Sequence, residues 1–326
     1  MRQMIVRALI CLIAFGCLPV LTAHAQKQVP VKLIVGYPPG GVADSLARIL
    51  AEDLRNELGR NVIVENKSGA GGRIAGSILA RSEPDGNTYL IAPDGWAVFP
   101  HLIDGPSVLN YDILTDMAPV ARLSSHSMAL VVSEKIGVTN AKEYEEYVKT
   151  KGEAIYGVPS IRGHAELLGT FFTQIFKVPF SAAGYRGNVP LATDLISGQI
   201  PAGVMVAGDI VNLGDKVRII AIIGQTRSPV APDVPTLAEQ GYPLNVGGGR
   251  HWMGMWAPKG TPKEEIAKME GAVKKVVTSR GFSDRILKSN LITADFATGK
   301  ELDKIIREDI EFWEPIVEKS GMKTRN

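Results

Sequence analysis

A short apolar, β-branched run made by Val31, Leu33, Ile34 and Val35 reads as a buried strand. Pro38-Pro39-Gly40-Gly41 stops it, because two prolines cannot extend a ladder and two glycines open dihedrals closed to other residues. Leu46, Ile49, Leu50, Leu54 and Leu58 then recur at helical spacing, with Arg48, Glu52, Asp53 and Arg55 between them. The order is strand, glycine turn, helix N-terminus. Residues 61–66 read as a second strand, Ser68 to Gly72 opens a helix over 73–81, and 88–92 is a third strand. Pro93-Asp94-Gly95 ends that strand, and a helix begins over 96–101. Alternating strands and helices of this kind predict a parallel sheet covered on both faces.

Further along, residues 118–132 contain a long extended segment, 140–151 a helix with charged faces, and 154–158 a strand. Residues 164–176 form a strongly apolar helix, with Leu167, Leu168, Phe171, Phe172, Ile175 and Phe176 on its buried side. The turn Gly184 to Gly187 precedes a helix over 189–197, and strands follow at 201–206 and 217–223. This block reads as a second, smaller α/β unit. A proline-rich stretch, 229–243, leads back through 246–257. Thr261 and Pro262 are read as the N-cap and first residue of the next helix. Leu302, Ile305, Ile306, Ile310, Trp313, Ile316 and Val317 mark the last one. The expected division is domain 1 over 26–123 plus 229–326, and domain 2 over 124–228.

Residues 1–25 read as an export signal and not as part of the fold. Arg2 and Arg7 give a basic start, an apolar run follows, and Ala23-His24-Ala25 presents small residues to a signal peptidase, with cleavage before Gln26. A lipoprotein box ending at Cys17 is the competing reading, which Phe15 fits poorly. Both cysteines, Cys11 and Cys17, lie in this segment, so the processed chain is expected to have no disulfide, thiolate metal site or cysteine nucleophile. Removing two arginines from 36 basic residues leaves them balanced against 34 acidic ones. No basic surplus points to nucleic acid.

Catalytic signatures are scarce. The sequence has no G-x-S-x-G elbow, H-E-x-x-H or P-loop. A dinucleotide fingerprint starting at Gly69 fails, because Ile74 stands where it needs glycine. His101, His126, His164 and His251 are isolated in sequence and read as surface or structural residues. No metal site and no cofactor are expected. What remains is a set of glycine-rich turns before helices in both α/β blocks. Two domains facing each other with helix N-termini across a cleft form a natural site for a small anion.

The chain resembles the periplasmic solute-binding proteins of the tripartite tricarboxylate transporter system, the Bug family. The matching pieces are YPPGGVADSLARILAEDL from Tyr37, VIVENKSGAGG from Val62, PDGNTYLIA from Pro84, GYRGNVPLATDLISGQI from Gly184, RSPVAPDVPTLAEQGYP from Arg227 and WMGMWAPKGTP from Trp252. The resemblance implies an α/β, two-domain type II periplasmic binding protein fold with a central ligand cleft and a hinge. It implies a monomeric binding protein, not an enzyme, that passes a small carboxylate (a di- or tricarboxylate, amino acid or aromatic acid) to membrane transporter subunits of the tripartite tricarboxylate type. Two alternatives stay open: a periplasmic hydrolase or other enzyme on a two-domain α/β scaffold, and a binding protein used for sensing.

The family's ligand loops map onto Tyr37, Pro39, Gly40, Gly41, Val42, Ala43 and Asp44, then Pro93 and Asp94, then Ser160 to His164, then Tyr185, Arg186 and Gly187, with Asp209 a weaker match. Asp44 is expected to brace its loop instead of touching an anion, since like charges repel. Trp96, Trp252 and Trp256 are expected in the core. Arg162 departs from the small residues usual in its slot. Pointing inward, it would add a fork suited to a carboxylate; pointing outward, it is a solvated arginine. Arg186 reads equally as a surface residue or a carboxylate contact.

Overall fold

The computed structural model describes residues 29–211, 213–243, 251–290 and 292–323. The expected export segment, with Cys11 and Cys17, lies outside the described residues, as does the 244–250 part of the return stretch. Among the described residues, no helix is long and apolar enough to cross a membrane.

The chain begins β1 (Val31–Val35), α1 (Val42–Leu58), β2 (Val62–Asn66), α2 (Arg73–Ala80), β3 (Thr88–Pro93), α3 (Asp94–Ile103) and α4 (Pro106–Leu109). It continues β4 (Met117–His126), β5 (Met128–Ser133), α5 (Ala141–Lys151), β6 (Ala154–Val158), α6 (His164–Phe176), β7 (Phe180–Gly184), α7 (Asn188–Ser197), β8 (Ala202–Val206), α8 (Ala207–Val211) and β9 (Val217–Ile223). It ends β10 (His251–Pro258), α9 (Lys263–Val277), α10 (Arg280–Asn290), β11 (Thr293–Thr298) and α11 (Gly299–Ser320).

The strands form two sheets, a six-stranded one in the order β11-β4-β10-β3-β1-β2 and a five-stranded one in the order β7-β6-β8-β5-β9. The fold is mixed α/β. In the first sheet β1 pairs in parallel with β2 and β3, and in the second β6 pairs in parallel with β7 and β8. Right-handed crossovers put helices on the faces of such strands, and ligands gather beyond their carboxyl ends. Both sheets bury their apolar side chains: every residue of β5, β8 and β10 is buried. Trp96, Trp252 and Trp256 are core residues, each 2 % exposed or less.

The expected single extended segment over 118–132 is two strands of different sheets. β4 ends at His126, Ser127 carries the chain across, and β5 begins at Met128. Only the polar run Ser124 to Ser127 marks the crossing, and it carries no glycine or proline to signal a turn. The chain returns into β10, which pairs antiparallel with β4 so that His251 lies opposite His126. The two crossing strands therefore run side by side, with a histidine on each. Before returning, the proline-rich stretch stays with the second sheet: Thr236 bridges Ile222 of β9, and Leu237 N–H donates to the Ile222 carbonyl.

Three local expectations are adjusted. Helix α3 starts at Asp94, two residues early, because Pro93 sits at its N-cap. Pro262 takes the N-cap position of α9, and the Thr261 hydroxyl donates to the Pro258 carbonyl 2.8 Å away. The short edge strands β7 and β11, FSAAG and TADFAT, have almost no β-branched apolar residues to betray them.

Candidate ligand-binding cleft

The N-termini of four helices border one cavity of about 120 Å³. Helices α1 and α3 follow β1 and β3 of the first sheet; α6 and α7 follow β6 and β7 of the second. The cavity is lined by Gly41, Val42 and Ala43 of α1, Pro93, Asp94 and Gly95 of α3, Gly163, His164 and Ala165 of α6, and Gly187, Asn188 and Val189 of α7. A helix cannot satisfy its own first-turn N–H groups. In none of the four does the N-cap residue's own side chain cap them, although Asp209 of α8 takes the Val42 N–H of α1. Helices α5 and α11, which do not border the cavity, are capped by Asn140 and Thr298. Each uncapped end carries roughly half a positive charge.

The glycines explain how these ends stay bare. Gly41 has φ −85° and Gly163 φ −150°, which any residue adopts. A Cβ built on Gly41 or Gly95 would meet no atom within 4 Å, and one on Gly163 only the Ser160 hydroxyl at 3.4 Å. Neither the backbone nor the neighbours demand glycine at these positions. What a side chain would occupy is the space over the N–H groups. Gly187 differs: its φ is +106°, and a Cβ there would lie 3.2 Å from Pro38 on the other side of the cleft.

Three buried histidines and Asp94 form one end of the cavity. His251 Nδ1 lies 2.6 Å from Asp94 Oδ2. The His164 and His251 ring centroids are 4.4 Å apart, and those of His126 and His251 are 5.8 Å apart. Burial works to lower His251, but the Asp94 carboxylate more than offsets it and holds the imidazole above its ordinary value. Asp94 is correspondingly held low by His251, against its own burial. Each partner thus favours the charged form of the other. Burial pushes His126 down to about 4, and His164 falls well below the usual range for the same reason, so both are neutral. Behind them, burial and Asp94 lift Asp309 to about 6; its carboxylate accepts from Trp252 Nε1 at 3.2 Å. Among the described residues no group of such side chains is placed to hold a metal ion.

Two contacts tie the cleft walls together. The buried Asp104, just after α3, accepts from Arg73 Nε at 2.6 Å and from Arg162 Nε at 2.8 Å. Arg73 also donates to the Arg162 carbonyl at 3.0 Å. Arg162 thus matches neither expectation: it borders the cavity, yet its guanidinium grips Asp104 across the cleft. Its φ of +57° is rare for a residue with a Cβ, which explains why small residues suit that slot. The second contact is a hydrogen bond from Val42 N–H, the first of α1, to Asp209 of α8. Burial pushes Asp209 up to about 6, against that bond and one from the Asn188 amide.

Of the residues singled out in the sequence, Tyr37, Gly41, Val42, Ala43, Pro93, Asp94, Ser160, Arg162, Gly163, His164 and Gly187 line the inner cavity. Tyr185 and Arg186 border a larger outer cavity of about 830 Å³ instead. Gly40 and Asp209 border a side cavity of about 330 Å³. Pro39 is exposed and borders none of the three. Asp44 braces the loop, accepting from Gly40 N–H at 3.0 Å and from Arg48 and Asn66 at 2.9 Å. His126 and His251 were not singled out. Each stands alone in the sequence, and only the pairing of the two crossing strands brings them together.

The family described as "Tripartite tricarboxylate transporter family receptor" matches residues 46–322. Protein BugT of Bordetella pertussis is 30% identical over 318 residues, covering 94% of this chain and 93% of its own. A Rhodopseudomonas palustris protein solved with adipate superposes with a TM-score of 0.82 at 25% identity, over 90% of this chain and 97% of the other. MatC from the same species, solved with bound malate, gives 0.77 at 25% identity, over 89% and 99%. By the extent of the family match and the BugT likeness, this chain belongs to the tripartite tricarboxylate transporter family of receptors.

Proposed function

We infer that the chain captures a compact carboxylate in the inner cavity and delivers it to a membrane transporter of the tripartite tricarboxylate type. The observation that carries the reading is the convergence of four helix N-termini on one cavity, none capped by its own N-cap side chain and only the Val42 N–H of α1 taken by Asp209. Backbone N–H groups and helix dipoles are suited to an anion. The two cavity-wall arginines are already engaged by Asp104, so the carboxylate is held chiefly by the main chain. A cavity of about 120 Å³ is small beside the roughly 300–1,000 Å³ of drug-sized pockets, which favours a short molecule. The adipate and malate bound by the two R. palustris relatives are the natural first ligands to try. The capture cycle is closure of two domains about the paired strands β4 and β10, domain 1 carrying the six-stranded sheet and domain 2 the five-stranded one. Export through residues 1–25 fits a periplasmic receptor.

The Asp94–His251 pair is the one observation that favours an enzyme, since it resembles part of a hydrolytic triad. Among the described residues, however, only Asp94 is hydrogen-bonded to the His251 side chain, so a nucleophile on the other ring nitrogen, as a triad needs, is not in place.

A thermal-shift screen over di- and tricarboxylates, amino acids and aromatic acids tests the reading. A carboxylate at a hundred times its Kd is expected to stabilise the native state by about 2.7 kcal/mol, while the diamine of the same length does nothing. Stabilisation by amines and not by acids would overturn it.

A further inference from the structure

The histidine end of the cavity is more than a wall. His126, on the crossing strand β4, and His164, at the start of α6, both line the cavity from opposite sides of the cleft. Each is less than 9 % exposed, and His126 Nδ1 and His164 Nε2 have no hydrogen-bond partner. Buried polar atoms are seldom left unmet, so two orphaned imidazole nitrogens beside an anion-seeking space suggest groups that wait for a partner.

Their surroundings set the charge available. His126 faces Asp94 of α3 and His251 of β10. His164 faces the same two groups and His126, with its ring against Phe99 of α3 and Trp313 of α11. Asp309 of α11 acts on Asp94 and His251 from behind. Among the described residues the carboxylate that acts on both His126 and His164 is Asp94, which is already matched by His251. No further carboxylate among the described residues acts on His126 or His164 to support a second positive charge. A bound carboxylate would, because an opposite charge within about 4–6 Å moves a titrating group by about 1–3 pKa units.

We propose that His126 and His164 are a proton-accepting specificity end of the cavity, so that a carboxylate enters together with a proton and is held more tightly at mildly acidic pH. The inference rests on the carboxylate-binding reading above. The proton comes from solvent and ends on a ring nitrogen of His126 or His164; the ligand stays ionised, and no other bond is made or broken. Binding then takes up a proton wherever the bound-state imidazole is charged and the free-state one is not. Affinity is flat above the bound-state value and rises as pH falls below it, until the free-state value is reached.

The test is magnetic resonance on protein labelled at histidine and glycine, titrated from pH 7.5 to 5.5 with acetate, malate or adipate, against chloride at equal ionic strength. The Gly41, Gly95 and Gly163 amides report occupancy of the helix ends; the imidazole resonances report charge. The expected result is movement of the amides together with a rise of about 2.5 pKa units in His126 from its free-state value of about 4, and about tenfold tighter binding at pH 5.5 than at 7.5. His164→Asn and His126→Asn should each flatten that pH profile. Shifted amides with unmoved imidazoles and a flat profile would overturn this inference and leave the carboxylate reading standing. Unmoved amides with all three acids would overturn both.

Discussion

Gly41→Val is expected to cut carboxylate affinity by ten- to a hundredfold or more while leaving the protein folded. The φ of −85° accepts valine, and a Cβ there meets no atom within 4 Å. The substitution costs the fold little and places two methyl groups over the first turn of α1. Each hydrogen bond to a charged group that is lost in this way is worth about 1.5–3 kcal/mol. Calorimetric titration with malate or adipate measures the effect, and circular dichroism with a melting curve checks the fold. Arg186→Ala is the contrast: its side chain is exposed on the outer cavity, so a compact carboxylate should lose less than threefold. If folded Gly41→Val binds as the parent does, the turn before α1 is only a connection.

Asp104→Ala is expected to be the most destabilising single change at the cleft. The carboxylate is buried and holds both Arg73, on its own side, and Arg162, from the opposite wall. The Arg73 side chain is 16% exposed, so its charge would be left largely buried and unmatched. Breaking such a pair costs about 3–5 kcal/mol. Arg162 is 37% exposed and partly screened, so Arg162→Ala should cost about 1 kcal/mol or less. Urea melts of the two variants check the order, and a midpoint for Asp104→Ala within error of the parent would show that water replaces the carboxylate.

Most strands and helices were legible because their apolar positions repeat at the expected period. The turns at Gly41, Gly163 and Gly187 were legible as turns before helices because glycine followed a strand and preceded a helix. The crossing at Ser127 was not: the polar run Ser124 to Ser127 marks it, but Ser124 and His126 are buried strand residues, so the run does not read as a turn. Arg162 was ambiguous because its partner, Asp104, lies in a different unit, and nothing local couples the two. The histidine cluster was invisible for the same reason: His126 and His251 meet through strand register and His164 joins them across the cleft. Interactions made at long range leave no spacing in the chain.

The central claim is that main-chain N–H groups at the helix ends, not side-chain cations, hold the ligand. A crystal structure with malate or adipate bound tests it most directly. The account predicts carboxylate oxygens within hydrogen-bond distance of first-turn N–H groups of α1 or α3 on one wall and α6 or α7 on the other, with Asp104 still gripping Arg73 and Arg162. A ligand lodged in the outer cavity on Arg186, or paired to Arg162 drawn away from Asp104, would contradict it.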